Sequence, residues 1–524
     1  MGVMILILLD ILSPDLVPDF PFVTPDDEEV YELVEDSLRK KEEREFPDVR
    51  EYRLLLRVKS DTIKSGKIIR STPVFLRFCG SGAGREMVLL LEKDKEERNL
   101  ADFIGGGISV ATGTWRFAFG DFLTGFGRGL ILALPYGRSG FNTQSLSETK
   151  STVPRSAQEN RNLRGLKVDL FLSNWEMVLF GSYSLRDAIL NPDGSVARMS
   201  FSGVHRDSAT EASRNQLGQL LSGGYLRYIN NPIFQFGICV YTAVFNRPFS
   251  PEDSAVSFWG QKLGVGSIYF CTNYENKQLE LELGRSIPGG SAATTRVSVR
   301  EGGVNTQVNA TVYQQQFFSP AGRRYNINQC RSRLELNGKM DYKKGGLKLG
   351  ISGNTYRDYL TDSIPARLTG NIGYEFTGFE VGVRLGRLYR MEIERSRFTD
   401  VEMKITHRDF WGRVFLKDQY NEYFSGKGIL VALSIKRKLA RGELSINFAR
   451  FLISGGAIIM TAPESGFLRI GSSYSSRTSA WRLSLTGGYR WSKLGRLGVK
   501  VGMVYNGSLL FDGGMQLEVG VRVD

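Results

Sequence analysis

A two-residue period constrains this chain more than any other feature. Leu279, Leu281 and Leu283 alternate with Glu280 and Glu282. Leu334, Leu336 and Met340 alternate with Arg333, Glu335, Asn337, Lys339 and Asp341. The same beat runs through Leu347, Leu349 and Ile351, through Ile429, Val431, Leu433 and Ile435, and through Leu497, Val499, Val501 and Met503. It closes the chain at Met515, Leu517, Val519, Val521 and Val523. Alternation of this kind marks strands with two unlike faces. The charged face cannot form a dry core, so it must line water, while the apolar face meets either a protein core or lipid. Short turns alternate with longer polar loops, as in an antiparallel meander of roughly 22–26 strands, a size within the range of single-chain outer-membrane barrels.

Composition decides between the two environments for the apolar face. Charged residues make up 23% of the chain, mean hydropathy is −0.20, and no run of about 18 apolar residues exists to span a membrane as a helix. A transmembrane barrel needs no such run, because only every second residue meets lipid. A soluble propeller would need a steady period of about 40–50 residues with a repeated signature, and none is visible. The expected fold class is therefore all-β, a large antiparallel transmembrane β-barrel with a short, partly helical N-terminal segment. It is expected in a bacterial outer membrane, with that membrane's lipid as its partner.

The net charge of +13 admits nucleic acid or anionic lipid as a partner. The basic residues are spread along strands rather than blocked together, which reads as a lumen or rim lining. Cys79, Cys239, Cys271 and Cys330 are far apart and form no C-x-x-C pair, so neither a metal nor a redox site is expected. No cofactor is expected either.

Met1–Leu12 has no basic leader, and Asp10 interrupts its short apolar run, so it makes a poor signal peptide. The expectation is that the recorded start is internal, with an export signal upstream. Residues 1–48 read as a periplasmic lead-in with a charged helix over Glu28–Glu45, and residues 49–524 as the barrel.

One stretch departs from plain alternation. Trp115, Phe117 and Phe119 share a face, and glycines at 120, 125, 127 and 129 then interrupt the pattern before Leu130–Ala133, where a strand is expected to resume and to end at Pro135. Glycine inside a strand marks a bulge, a bend or a close backbone approach. Gly120, Asp121, Phe126, Gly127, Gly129 and Leu130 are thus read either as an inward constriction of the wall or as a bulge pattern that fixes register. The polar loops Arg138–Arg161 and Asp187–Gly218 are further candidates for a plug. Glu92, Lys93, Asp94, Glu96, Glu97 and Asp102 form a charged cluster, read as a solvated strand end or as a partner for a cation or lumen arginines. His205, with Ser202, Ser208 and Glu211, brings a Ser–His–acid hydrolase to mind. No nucleophile elbow accompanies it, so His205, Arg206 and Glu211 are read as ties between loop and wall.

Four pieces carry a resemblance: LEKDKEERNLADF from Leu91, FGDFLTGFGRGLIL from Phe119, ENRNLRG from Glu159, and FSGVHRDSATE from Phe201 with GGYLRY following. In order and spacing they resemble a Bacteroidota-type family of outer-membrane β-barrel proteins with N-terminal helix-hairpin-helix repeats. The resemblance runs from about Arg53 to the C-terminus, with its specific motifs in the first half. The repeats themselves are not seen, and only Ile11–Pro25 looks like the tail of one. The resemblance implies a barrel fold and an outer-membrane location, and it implies a DNA or envelope partner only through an upstream domain.

Three functions follow as expectations: a channel or transport component with a charged lumen, a membrane anchor or assembly protein engaging DNA or an envelope partner, and an outer-membrane hydrolase. The chain is expected to be a non-enzyme.

Overall fold

The computed structural model describes residues 50–60, 74–82, 84–93, 103–134, 152–155, 162–200, 205, 208–230, 233–250, 258–322, 333–358, 365–376, 379–390, 397–407, 410–420, 425–439, 441–454, 460–463, 473–476, 479–490, 492, 495–505 and 509–523. The lead-in at 1–48 and its helix Glu28–Glu45 lie outside them. So do Asp94, Glu96, Glu97, Asp102, Ser202, Arg206, Cys330, the turn residues 231–232 and 377–378, and most of the loop Arg138–Arg161.

The strands, in chain order, are β1 (Arg50–Ser60), β2 (Val74–Gly82), β3 (Arg85–Lys93), β4 (Phe103–Thr112), β5 (Trp115–Phe122), β6 (Leu163–Leu172), β7 (Trp175–Leu190), β8 (Val196–Ser200) and β9 (Leu217–Asn230). They continue as β10 (Phe234–Phe249), β11 (Gly260–Tyr274), β12 (Lys277–Ile287), β13 (Ser291–Glu301), β14 (Val304–Tyr313), β15 (Arg333–Lys344), β16 (Leu347–Asp358), β17 (Pro365–Phe376) and β18 (Phe379–Arg390). The last are β19 (Arg397–His407), β20 (Phe410–Tyr420), β21 (Ser425–Leu439), β22 (Gly442–Ser454), β23 (Met460–Pro463), β24 (Ser473–Ser476), β25 (Ala480–Arg490), β26 (Arg496–Tyr505) and β27 (Leu509–Val523). A short helix, α1 (Ser208–Ala212), lies between β8 and β9.

Strands β23 and β24 pair with each other, and the remaining 25 form one sheet. Successive strands pair antiparallel, with β7 passing over β8 to β9 and β22 passing to β25. β27 then returns to β1, in register from Arg50↔Val523 to Ser60↔Gly513. With β8 set aside, the sheet is a closed ring of 24 antiparallel strands. Closure leaves the ring without an edge strand, which is the condition for strands to stand in hydrocarbon.

Side-chain parity identifies the two faces. Along β7, Trp175, Leu179, Tyr183 and Leu185 are exposed, while Glu176, Val178, Phe180, Ser182, Ser184 and Arg186 are buried. Along β10, Phe236, Ile238 and Val240 are exposed, and Cys239, Tyr241 and Ala243 are buried. The outward face is therefore a continuous apolar skin, and the buried set that faces inward mixes charged, hydroxyl and aromatic side chains. Aromatic rings mark both margins of this skin. Trp175 packs 5.1 Å from Tyr228 near one margin, and Trp481 stacks 5.8 Å from Tyr505 near the other. Trp175 and Tyr183 on one strand are eight residues apart, or about 20 Å after tilt, close to the roughly 25 Å apolar band of such barrels.

The turns after β2, β4, β6, β11, β13 and β15 are two residues long, and they gather at the end of the ring where Arg50 meets Val523. Left-handed residues such as Asn174's neighbour Ser173, Glu275 and the Gly302–Gly303 and Gly345–Gly346 pairs make these turns possible. Longer connections gather at the opposite end. In outer-membrane barrels the short turns are periplasmic and the long loops extracellular.

Two expectations are corrected here. Leu130–Ala133 is not a resumed strand: β5 stops at Phe122 and the chain leaves the wall. Gly127 and Gly129 sit at φ +54° and +74°, a left-handed backbone that ends strand geometry. Nor is Asp187–Gly218 a plain polar loop. β7 runs on to Leu190, followed by β8 and α1, because Ala188, Val196 and Met199 are buried against the same apolar cluster as Leu217 and Phe249.

Candidate constriction inside the barrel

The segment that leaves the wall, Leu123–Ala133, lies on the inner faces of β6 and of β9 to β12. A close approach of backbone to wall demands small residues on both partners. A Cβ on Gly127 would stand 2.9 Å from Glu282 Oε2, one on Gly237 of β10 would stand 2.8 Å from the Phe126 ring, and one on Gly284 of β12 would stand 2.9 Å from Ile131 Cγ2. The glycines of the segment and those of the wall thus form matching seats.

Four polar stitches hold the segment down. Lys167 Nζ donates to the carbonyl of Leu123 at 3.1 Å. The amides of Arg128 and Leu130 both donate to Glu282 Oε2, at 2.7 and 3.1 Å, while Ser267 Oγ donates to Glu282 Oε1 at 3.0 Å. Amides flanking left-handed glycines form a concave nest that favours an anion, and here the anion is a wall carboxylate. The hydroxyls of Tyr241 and Ser319 reach the carbonyl of Ile131. The Ala133 amide donates to the carbonyl of Ala321 at 2.8 Å.

An ionic network surrounds this contact. Arg128 Nη1 lies 3.0 Å from Glu280 Oε2, and its Nη2 reaches Asn309 Oδ1 at 3.3 Å. Arg296 shares the same Glu280 oxygen at 3.4 Å, and Tyr269 donates its hydroxyl to Glu280 Oε1. Beside it, Glu176 takes bonds from Arg227 and from the Tyr225 hydroxyl, and Lys167 pairs with Asp169 at 3.0 Å. Phe126 fills the space between these clusters, with its ring 5.3 Å from Tyr225 and 6.0 Å from Tyr269. Above them, Ile131 and Leu132 join a fully apolar cluster with Phe249, Phe258 and Phe318. Over this arc the inner face is packed with protein instead of lining water.

The expected residues separate into three groups. Phe126, Gly127, Gly129 and Leu130 belong to the inward segment. Gly120 (φ +88°) and Asp121 form its root: a Cβ on Gly120 would meet the Gly106 carbonyl at 2.5 Å, and Asp121 accepts from the Gly106 amide at 2.8 Å and from Arg164 Nε at 2.6 Å. His205 lies elsewhere, at the long-loop end, with Nε2 3.2 Å from Asp187 Oδ2 and Nδ1 2.9 Å from the Thr210 carbonyl. Nε2 thus ties the loop to β7, while Nδ1 ties the loop to its own short helix. Glu211 is an exposed partner of Arg214 at 3.6 Å, and Glu92 is half-buried at the end of β3 beside buried Lys93. Sequence reasoning missed Glu280, Glu282, Lys167 and Asn309. The signal of Glu280 and Glu282 was present as charge alternating with Leu279, Leu281 and Leu283, but it read as generic lumen lining.

Of the Arg138–Arg161 loop, Thr152–Arg155 are described. The Thr152 carbonyl accepts from the Leu123 amide at 2.7 Å, Val153 is buried with Val88, Leu90 and Phe103, and Arg155 pairs with Glu86 at 2.8 Å. This part of the loop also lies on the inner wall.

A closed antiparallel ring with an apolar exterior and an ionic interior defines a β-barrel of the bacterial outer membrane. No helix among the described residues is long and apolar enough to cross a membrane. No protein-family model and no curated protein sequence matches the chain. Among solved structures it is similar to the P pilus usher PapC translocation pore, at 8% identity and TM-score 0.39 over 91% of this chain and 100% of that one. It is also similar to the FrpB iron transporter of Neisseria meningitidis, at 8% identity and TM-score 0.41 over 92% and 83%, and to the siderophore receptor PirA of Acinetobacter baumannii, at 9% and 0.42 over 89% and 80%.

Proposed function

We propose that this protein is an outer-membrane channel for hydrophilic solutes, narrowed on one side by Leu123–Ala133. The observation that carries this reading is the docking of that segment on Glu282, inside the ring. A closed ring of 24 strands encloses a lumen of roughly 35 Å at the usual strand spacing and tilt. An empty lumen of that width would leak small proteins as well as solutes, so barrels of this size carry plugs or infolded loops. The inward segment and the Phe317–Gly322 loop that clasps it through Ala321 are such infolding. The test is conductance of the purified barrel in planar bilayers. Stepwise insertion currents that change on weakening the segment support the channel, and a correctly folded barrel that never conducts overturns it.

The helix-hairpin-helix resemblance adds a second proposal, a periplasmic partner. β1 starts at the short-turn end, the periplasmic end in such barrels, so a domain preceding β1 would emerge into the periplasm. Helix-hairpin-helix repeats encoded directly upstream, with retention on DNA-agarose of the longer protein, support it. An upstream sequence holding a signal peptide alone refutes it.

A further inference from the structure

β7 is paired with β6 only as far as Ser182↔Gly165, yet it continues to Leu190. Beyond that point the wall has a notch at its long-loop end, bounded by the ends of β4, β5 and β6 and by the upper part of β7. The notch is a cavity of about 370 Å³ whose lining includes Ile104, Asn162, Arg164, Tyr183, Leu185 and Arg214. That volume lies within the range of small-molecule sites, about 300–1,000 Å³.

Three features define its guest. First, its charges are matched. Arg164 pairs with Asp121 at 2.6 Å and Arg214 with Glu211 at 3.6 Å. Asp187 faces His205 at 3.2 Å and accepts from the Asn215 amide at 2.9 Å. A charged guest would lose its hydration without meeting an unmatched charge, so the notch favours an uncharged one. Second, Asn162 is 4% exposed, and neither Oδ1 nor Nδ2 has a hydrogen-bond partner. Buried amides are as a rule satisfied, and this one presents an acceptor and a donor side by side. Two neighbouring hydroxyls match that pair, because each hydroxyl both donates and accepts. Third, the Tyr183 side chain is 56% exposed, in line with Leu185 on the outward face of β7. A flat ring in apolar surroundings suits the C–H face of a sugar, while a few fixed polar groups take its hydroxyls.

We propose that this notch binds one uncharged sugar residue, with neighbouring hydroxyls on the Asn162 amide and a C–H face on the Tyr183 ring. Ile104, Tyr183 and Leu185 belong to the outward skin, so two sources share this chemistry. One is a free saccharide arriving from solvent, and the other is the headgroup of a glycolipid whose chains continue down that skin. The inference rests on the wall of the barrel and is independent of what passes through it.

The test is native mass spectrometry of the delipidated barrel in a sugar-free amine-oxide detergent. The probes are the methyl and dodecyl glycosides of glucose, galactose and mannose, the phosphates of the same sugars, and dodecylphosphocholine. The expected result is one glycoside per chain for at least one sugar. It should be held at least about ten-fold more tightly than the matching sugar phosphate and, for the dodecyl form, than dodecylphosphocholine. Equal affinity of the methyl and dodecyl forms supports a free saccharide, and a dodecyl form about ten-fold or more tighter supports a glycolipid. Asn162→Ala and Tyr183→Ala should each weaken the bound glycoside about ten-fold or more. Asn162→Ala should leave thermal stability of the delipidated barrel unchanged, because its amide holds no partner; folding of Tyr183→Ala is checked by heat-modifiable migration. Failure of every glycoside to bind would overturn the proposal and leave the amide to ordered water. Binding of a sugar phosphate or of dodecylphosphocholine as tight as that of the glycoside would also overturn it, as would wild-type affinity in both variants.

Discussion

Replacing Glu282 by Gln removes one charge and almost no volume from the contact between segment and wall. In the native protein its carboxylate accepts two backbone amides and the Ser267 hydroxyl. A hydrogen bond to a charged acceptor contributes about 1.5–3 kcal/mol, against about 0.5–1.5 kcal/mol for a neutral one. The amide oxygen of Gln retains acceptor capacity for the nest, but its NH2 group faces the hydroxyl or an amide donor. The change should therefore cost the docked state about 2–4 kcal/mol. At 1.36 kcal/mol per decade this moves the docked-to-released ratio about 30- to 1,000-fold. Arg128 loses a nearby negative charge at the same time but keeps Glu280, so the segment loosens without leaving a cation wholly unpaired. In planar bilayers, Glu282→Gln should add larger conductance steps and more frequent open events, and bacteria carrying it should become more sensitive to large hydrophilic antibiotics. Barrel folding, read by heat-modifiable migration, should be intact. A single-channel conductance identical to wild type, with the barrel folded, would refute the assignment of Glu282 as the anchor.

Gly284→Val places methyl groups where Ile131 Cγ2 now sits, and Gly237→Leu does the same to the Phe126 ring; both should raise conductance as Glu282→Gln does, and unchanged currents would argue against the seat. Phe258→Ala, in the ring cluster with Phe249 and Phe318, should lower stability by about 3–5 kcal/mol, read as an earlier midpoint in urea unfolding from vesicles; a shift under about 1 kcal/mol would mean the cluster does not hold the loops together. Val240→Arg, on the outward face of β10, should cost about 2–4 kcal/mol if it meets the middle of the bilayer; a neutral result in the same assay would place that face elsewhere.

The period of two was enough to read the barrel, because lipid on one side and polar groups on the other force opposite chemistry at every second position. Leu279 to Leu283 show this at its plainest. The inward segment was only half legible. Its glycines announced a bend, but Leu130 and Ile131 look like strand residues until their partners are known. Those partners, Glu282, Gly284 and Tyr241, lie more than a hundred residues away, and no local pattern ties them to Gly127. The meeting of Phe103, Asp121, Arg164 and His205 around one cavity at the long-loop end was illegible for the same reason. Phe103, Asp121, Arg164 and His205 each sit in a different sequence motif, and only the early end of β6 beside the long β7 brings them together.

The seam between β1 and β27 sets the order of assembly. Every other ladder in the ring joins strands that follow one another closely along the chain, apart from those bridging the larger loops, so each can zip from its own hairpin. The seam alone joins Arg50 to Val523, and it has nothing to register until the final strand exists. Until then the growing sheet carries two raw borders of unpaired amides and carbonyls, which hydrocarbon does not tolerate. Insertion and sealing must therefore be one event, and whatever delivers this polypeptide to the bilayer has to shield both borders until they meet.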